Sequence, residues 1–247
     1  MSETMGHDRL TRGRGRGIRV AVVDSGWSGR LIHPRVMPAA DQGDGAMDDR
    51  VGHGTHCALR VLQVAPESEV LPVRVFDDRL ETSVERLCQG IDEAVRWGAQ
   101  VVNLSLATRI PEALQPLYAL CEEARRAGVI VVAAAHNGGG QAYPAYLEPV
   151  LSVAAGRQRD LLDFSYRHDE PIECTAASSG VPILLPDGAS VRRAGSSIAA
   201  ATTSGIVARI LEGGGADLDE VRSMLASITR LQTYTASPRT RTSRKRI

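Results

Sequence analysis

The strongest constraint on this chain is a recurrence of short, unbroken apolar runs separated by segments of helical periodicity. The runs are residues 18–23 (IRVAVV), 70–76 (VLPVRVF), 101–106 (VVNLSL), 129–135 (VIVVAAA) and 150–155 (VLSVAA). They do not alternate apolar with polar residues, so they fit strands covered on both faces, as in parallel sheets. Between two of them, Val84, Leu87, Cys88, Ile91, Ala94 and Val95 fall at helical spacing across 83–97, with Gly98 as the stop signal. Helices are also expected over 55–63, 111–127, 197–211 and 217–228, and only loops and short strands between residue 155 and the last pair. Strand–helix alternation of this kind predicts an α/β fold: a doubly wound, mostly parallel sheet flanked by helices in three layers. In such sheets sites form at the carboxyl ends of strands. Asp24, directly after the first run, and Asn137, just after the fourth, are therefore placed for chemistry.

At 247 residues the chain suits one α/β domain, expected over 18–229. Aromatics are only 4%, so its core is built from Ala, Val, Leu and Ile. Residues 1–17 and 230–247 read as flexible basic tails, the first carrying Arg12, Arg14 and Arg16 alternating with glycines. The formal net charge is zero, which gives no general reason to expect a nucleic-acid partner. No apolar run approaches the ~20 residues that cross a bilayer, so no membrane association is expected. The first 17 residues have no apolar stretch of signal-peptide type, and a cytoplasmic location is expected. Cys57, Cys88, Cys121 and Cys174 are well separated and are expected as free, mostly buried thiols, with no metal site.

Three motifs stand out in order: Asp24-Ser25-Gly26, His53-Gly54-Thr55-His56, and Gly195-Ser196-Ser197 opening a helix. A serine hydroxyl becomes a nucleophile when a neighbouring base takes its proton. Histidine suits that task near neutrality, and a carboxylate fixes its tautomer. Each motif alone is weak; together, in the order Asp…His…Ser, they resemble the subtilisin-like serine proteases (subtilases). Further landmarks carry the resemblance: residues 103–106 (NLSL), 131–137 (VVAAAHN), Tyr143-Pro144-Ala145 and His33-Pro34. It spans about residues 18–211.

The resemblance implies a serine endopeptidase acting on peptide or protein substrates. Ser197 would be the nucleophile, His53 the general base and then acid, and Asp24 the residue orienting His53. Asn137 and the Ser197 backbone N–H would hold the oxyanion. Leu80, Glu81 and Thr82 would pair with one edge of the substrate, and Ser105, Leu106 and Ala107 with the other. Ala134, Ala135 and His136 would complete the specificity pocket. No cofactor is required; calcium is a possibility of the family, with Asp41, Asp44, Asp48 and Asp49 as candidate ligands. His56 is expected as a packed helix residue and Cys57 as a buried thiol beneath the site.

Two departures touch the cleft. Ala107 and His136 stand where the family usually has glycines, and could narrow or gate the pocket. Glu81, with Asp77 and Asp78 near, implies a modest preference for basic residues upstream of the cut. The short N-terminal segment motivates a narrow-specificity intracellular processing protease that matures a peptide or protein precursor. The alternatives are a catalytically silent peptide-binding subtilase and an acyl-enzyme transpeptidase or macrocyclase.

Overall fold

In the computed structural model, which describes residues 3–37 and 48–236, the expected alternation builds a seven-stranded sheet. β1 (Arg19–Asp24), β2 (Glu69–Arg74), β3 (Val101–Leu104), β4 (Ile130–Ala134), β5 (Leu151–Gly156) and β7 (Cys174–Ala177) are parallel. β6 (Phe164–Tyr166) closes one edge antiparallel to β7. The order is β2-β1-β3-β4-β5-β7-β6, so the chain leaves β1 toward one side for β2 and returns to the other for β3. That reversal opens a crevice above the carboxyl ends of β1 and β3.

Side chains alternate between two cores. Val20, Val22, Val101, Ile130 and Val132 pack against α2 (His53–Val64), α5 (Ser196–Leu211) and α6 (Leu218–Ala236). Ala21, Val23, Val102, Leu104, Val131 and Ala133 pack against α3 (Val84–Arg96) and α4 (Leu114–Arg126). Covering both faces explains the unbroken apolar runs. α5 is buried on all sides, and only Ser197 and Arg209 of its residues escape full burial. It crosses α2 so closely that a Cβ on Gly205 would lie 2.5 Å from the Val64 Cβ. A short hairpin, β8 (Ile183–Leu184) and β9 (Ser190–Val191), leads into it. The four cysteines are free, three buried and Cys88 half-buried. Among the described residues no helix is long and apolar enough to cross a membrane.

The segment expected as a flexible N-terminal tail is ordered. Residues Glu3–Arg12 form α1, which docks on α5 and α6 with Leu10 buried. Arg209 on α5 donates to the Leu10 carbonyl, and Arg9 reaches back to the carbonyls of Ile210 and Gly214. The backbone of the Arg-Gly run that follows is pinned, while the Arg14 and Arg16 side chains stay exposed. The Glu212 carboxylate accepts the backbone N–H of Arg14, Gly15 and Arg16 at 2.5, 2.8 and 3.2 Å. Glu67 pairs with the side chains of Arg14 and Arg16. At the other end α6 continues to Ala236, past the expected boundary at 229; residues 237–247 lie outside the described chain.

Candidate active site

β1 ends by delivering Asp24, fully buried, to the crevice. Its Oδ1 accepts the Ser25 backbone N–H and lies 2.7 Å from His53 Nδ1. His53 is the first residue of α2, and two devices fix that helix start. Gly54 approaches the turn after β1 so closely that a Cβ there would lie 2.5 Å from the Gly26 carbonyl oxygen; its N–H donates to Ser25 Oγ at 2.8 Å. Asp49 supplies the cap: Oδ1 accepts from Gly52 N–H at 2.7 Å, and Oδ2 from the N–H and hydroxyl of Thr55 at 2.9 and 2.6 Å. Asp49, a candidate calcium ligand from sequence, is thus engaged at both oxygens in positioning His53. Asp48, another, pairs with Arg50. Asp41 and Asp44 lie outside the described residues.

Burial is the largest influence on His53 and lowers its basicity. The hydrogen bond and charge of Asp24, aided by Asp49, outweigh it, so the imidazole titrates above its ordinary value; nearby Arg193 opposes the rise. The basicity of His56, one turn on, is lowered by burial and by Arg193, whose Nε lies 3.4 Å from its Nδ1. The buried Cys57 thiol is pushed well up by burial and the Asp24 charge, and it contacts Ser105 Oγ at 3.4 Å. Asp24, His53 and Cys57 are the one cluster of metal-capable side chains among the described residues.

Ser197 enters from α5, one residue past its first. Gly195 precedes the helix at φ +115°, a conformation suited to glycine. The N–H groups of a first helical turn have no intrahelical acceptor, so that of Ser197 is available at a partially positive helix end. Its hydroxyl donates to the Ser105 carbonyl at 3.3 Å. The Ser105 hydroxyl faces inward, receiving from Asn103 Nδ2 and donating to the Ser197 carbonyl, which ties the end of β3 to the start of α5.

His53, Ser197, Leu80, Glu81, Thr82, Ser105, Leu106 and Ala107 all line one cleft of about 580 Å³. Sequence reasoning missed Phe76, Val84, Leu87 and Ile110, which give that cleft an apolar floor. The acidic rim is thinner than expected. Asp77 accepts the N–H groups of Arg79 and Glu81, and Asp78 pairs with Arg50 and Arg74, leaving Glu81 as the acid that lines the cleft.

Ala134, Ala135 and His136 lie apart from this cleft lining. Ala134 is buried at the end of β4, and the Ala135 carbonyl accepts the Ser196 hydroxyl at 2.5 Å. His136 turns its Nδ1 to the Gly138 N–H at 3.0 Å and to Arg109 at 3.2 Å. Asn137 comes directly to the start of α5: its Oδ1 accepts the Ser196 N–H at 3.0 Å, and the Ser196 hydroxyl oxygen lies 3.1 Å away. A Cβ on Gly195 would lie 3.4 Å from Asn137 Nδ2, which places the amide donor beside the nucleophile loop.

Comparison with known proteins gives one answer. The model of the Subtilase family matches residues 15–236. Thermitase from Thermoactinomyces vulgaris is 28% identical over 229 residues, covering 85% of this chain and 80% of that protein. The intracellular serine protease of Paenibacillus polymyxa is 28% identical over 222 residues, covering 80% and 67%. Among solved structures, a cold-adapted subtilisin-like serine proteinase superposes with a TM-score of 0.72 at 23% identity, over 87% of this chain and 83% of that one.

Proposed function

The chain belongs to the subtilase family and is a subtilisin-like serine peptidase; on that premise we propose that Asp24, His53 and Ser197 form its catalytic triad. The observation that carries the assignment is the 2.7 Å bond from buried Asp24 to His53, which lines the same cleft as Ser197. Ser197 Oγ rotates from Ser105 toward His53 Nε2, gives up its proton and attacks the scissile carbonyl. Asp24 holds the imidazole in the tautomer with Nδ1 protonated and stabilises the imidazolium. The tetrahedral oxyanion receives Asn137 Nδ2 and the Ser197 N–H. His53 then protonates the departing amine, and water completes hydrolysis of the acyl-enzyme by the same route in reverse.

The substrate is a peptide segment laid between residues 80–82 and 105–107, where main-chain pairing would extend the cleft edges as strands. Phe76, Val84, Leu87 and Ile110 favour an apolar side chain upstream of the cut, and Glu81 favours a neighbouring base. We assign the enzyme to narrow-specificity processing of a precursor inside the cell. Similarity to a relative named as an intracellular serine protease supports that setting.

The test is cleavage of a peptide library with the products weighed. Hydrolysis gives an acid one water heavier than a cyclised product, and Ser197→Ala abolishes it. Bound but uncut peptide with the wild type would contradict the assignment and favour a silent binding subunit.

A further inference from the structure

Asn137 is followed by Gly138, Gly139 and Gly140, the last two at φ +69° and +77°. Three glycines in succession leave a backbone with little intrinsic order. Oxyanion stabilisation nonetheless depends on a donor held within about 0.5 Å of its working position. On its side-chain end Asn137 is tied to Ser196. On its backbone end the tie is Arg109, in the segment after β3, where Thr108 and Ile110 form part of the cleft wall.

One guanidinium nitrogen, Nη2, donates both to the Gly139 carbonyl and to His136 Nδ1. The same Nδ1 accepts the Gly138 N–H, and Gly139 N–H turns back to the His136 carbonyl at 2.9 Å. The two contacts of Arg109 therefore straddle Asn137, one residue before it and two after. Arg109 itself is fixed by its neighbour: Thr108 and Tyr143 exchange both backbone hydrogen bonds at 2.8 Å, joining the wall to the far end of the glycine loop. The arrangement also gives His136 a role: its ring folds back onto the loop as the acceptor at the centre of the clamp.

We propose that Arg109 is a positioning residue that clamps residues 136–140 and so holds Asn137 Nδ2 at the oxyanion. This rests on the oxyanion role proposed above for Asn137, and the test separates the two. Asn137→Ala alone should lower kcat by about 10²–10³, the usual loss on removing such a donor. Arg109→Ala should lower kcat about tenfold, a fraction of that loss, with KM unchanged. Arg109→Lys, whose ammonium is a single point donor, should fall between, and added guanidinium should restore part of the Arg109→Ala deficit. In the Asn137→Ala background, Arg109→Ala should cost nothing more, because there is no donor left to place.

A strong Asn137→Ala effect beside an undiminished Arg109→Ala kcat would overturn the clamp and leave the site intact. So would full additivity of the two losses. An Asn137→Ala enzyme with wild-type kcat would overturn the oxyanion role itself, and the clamp with it. If Arg109→Ala fails to fold, the Arg109→Lys cycle decides in the same way.

Discussion

His53 shows how much chemistry depends on single contacts. Burial alone would make it a weaker base, but Asp24 reverses the sign. As the base it must be neutral, so kcat/KM is expected to fall as pH drops through a value above the ordinary histidine one of about 6.5. Arg193 holds that value down, so Arg193→Ala should shift the acid limb to higher pH; paired pH–rate profiles check this, and a limb that stays put or moves lower would sink it. Asp24→Asn should lower kcat by about 10⁴, through the wrong imidazole tautomer, with binding little changed. Steady-state kinetics on one peptide substrate measures it. At this scale the sequence was legible where chemistry dictates residue type: the triad proposed here needs a carboxylate, a base and a nucleophile, which Asp24, His53 and Ser197 supply. It was silent where a common residue does a local task. Nothing in an aspartate-rich loop marks Asp49 as the cap of α2, and nothing marks Arg109 as a partner of the His136 loop.

The elements follow the apolar pattern closely, because both faces of the sheet are covered and most interior strand residues are apolar, with Asp24, Asn103 and Ser152 as buried polar exceptions. The expected run 129–135 is β4 at Ile130–Ala134, and the helix expected over 83–97 is α3 at Val84–Arg96. Boundaries slipped where hydrogen bonds, not hydrophobicity, set them. α2 begins at His53 because Asp49 caps it from four residues upstream, so its stability and the placement of the base are coupled. Asp49→Ala is expected to cost about 1–2 kcal/mol, the value of a lost cap, and to slow acylation as well. Urea unfolding and pre-steady-state acylation rates test the pair. A destabilised variant that acylates at the wild-type rate would break the link between the cap and His53.

Across the whole molecule, the largest difference from the sequence reading is the N-terminus. α1 has little apolar surface of its own, and a short helix of that kind gains its order from docking. Its anchors, Leu10 in the core and the Glu212 carboxylate under the backbone of residues 14–16, come from partners some 200 residues away in sequence, which no local pattern reveals. Leu10→Ala is therefore expected to destabilise the domain by about 2–3 kcal/mol, as for other buried leucines. A flexible tail would give no change in the urea midpoint. By contrast, the switch of strand order that opens the cleft was implicit in the strand–helix alternation, and so was the placing of Asp24 at its edge.

Asp24, His53 and Ser197 are proposed to work together as one activated nucleophile. Intact-mass analysis after reaction with a fluorophosphonate tests it most directly, with Ser197→Ala beside the wild type. A single adduct is expected on the wild type and none on the variant. A folded wild-type protein that takes up no adduct, or an adduct that persists in Ser197→Ala, would contradict it.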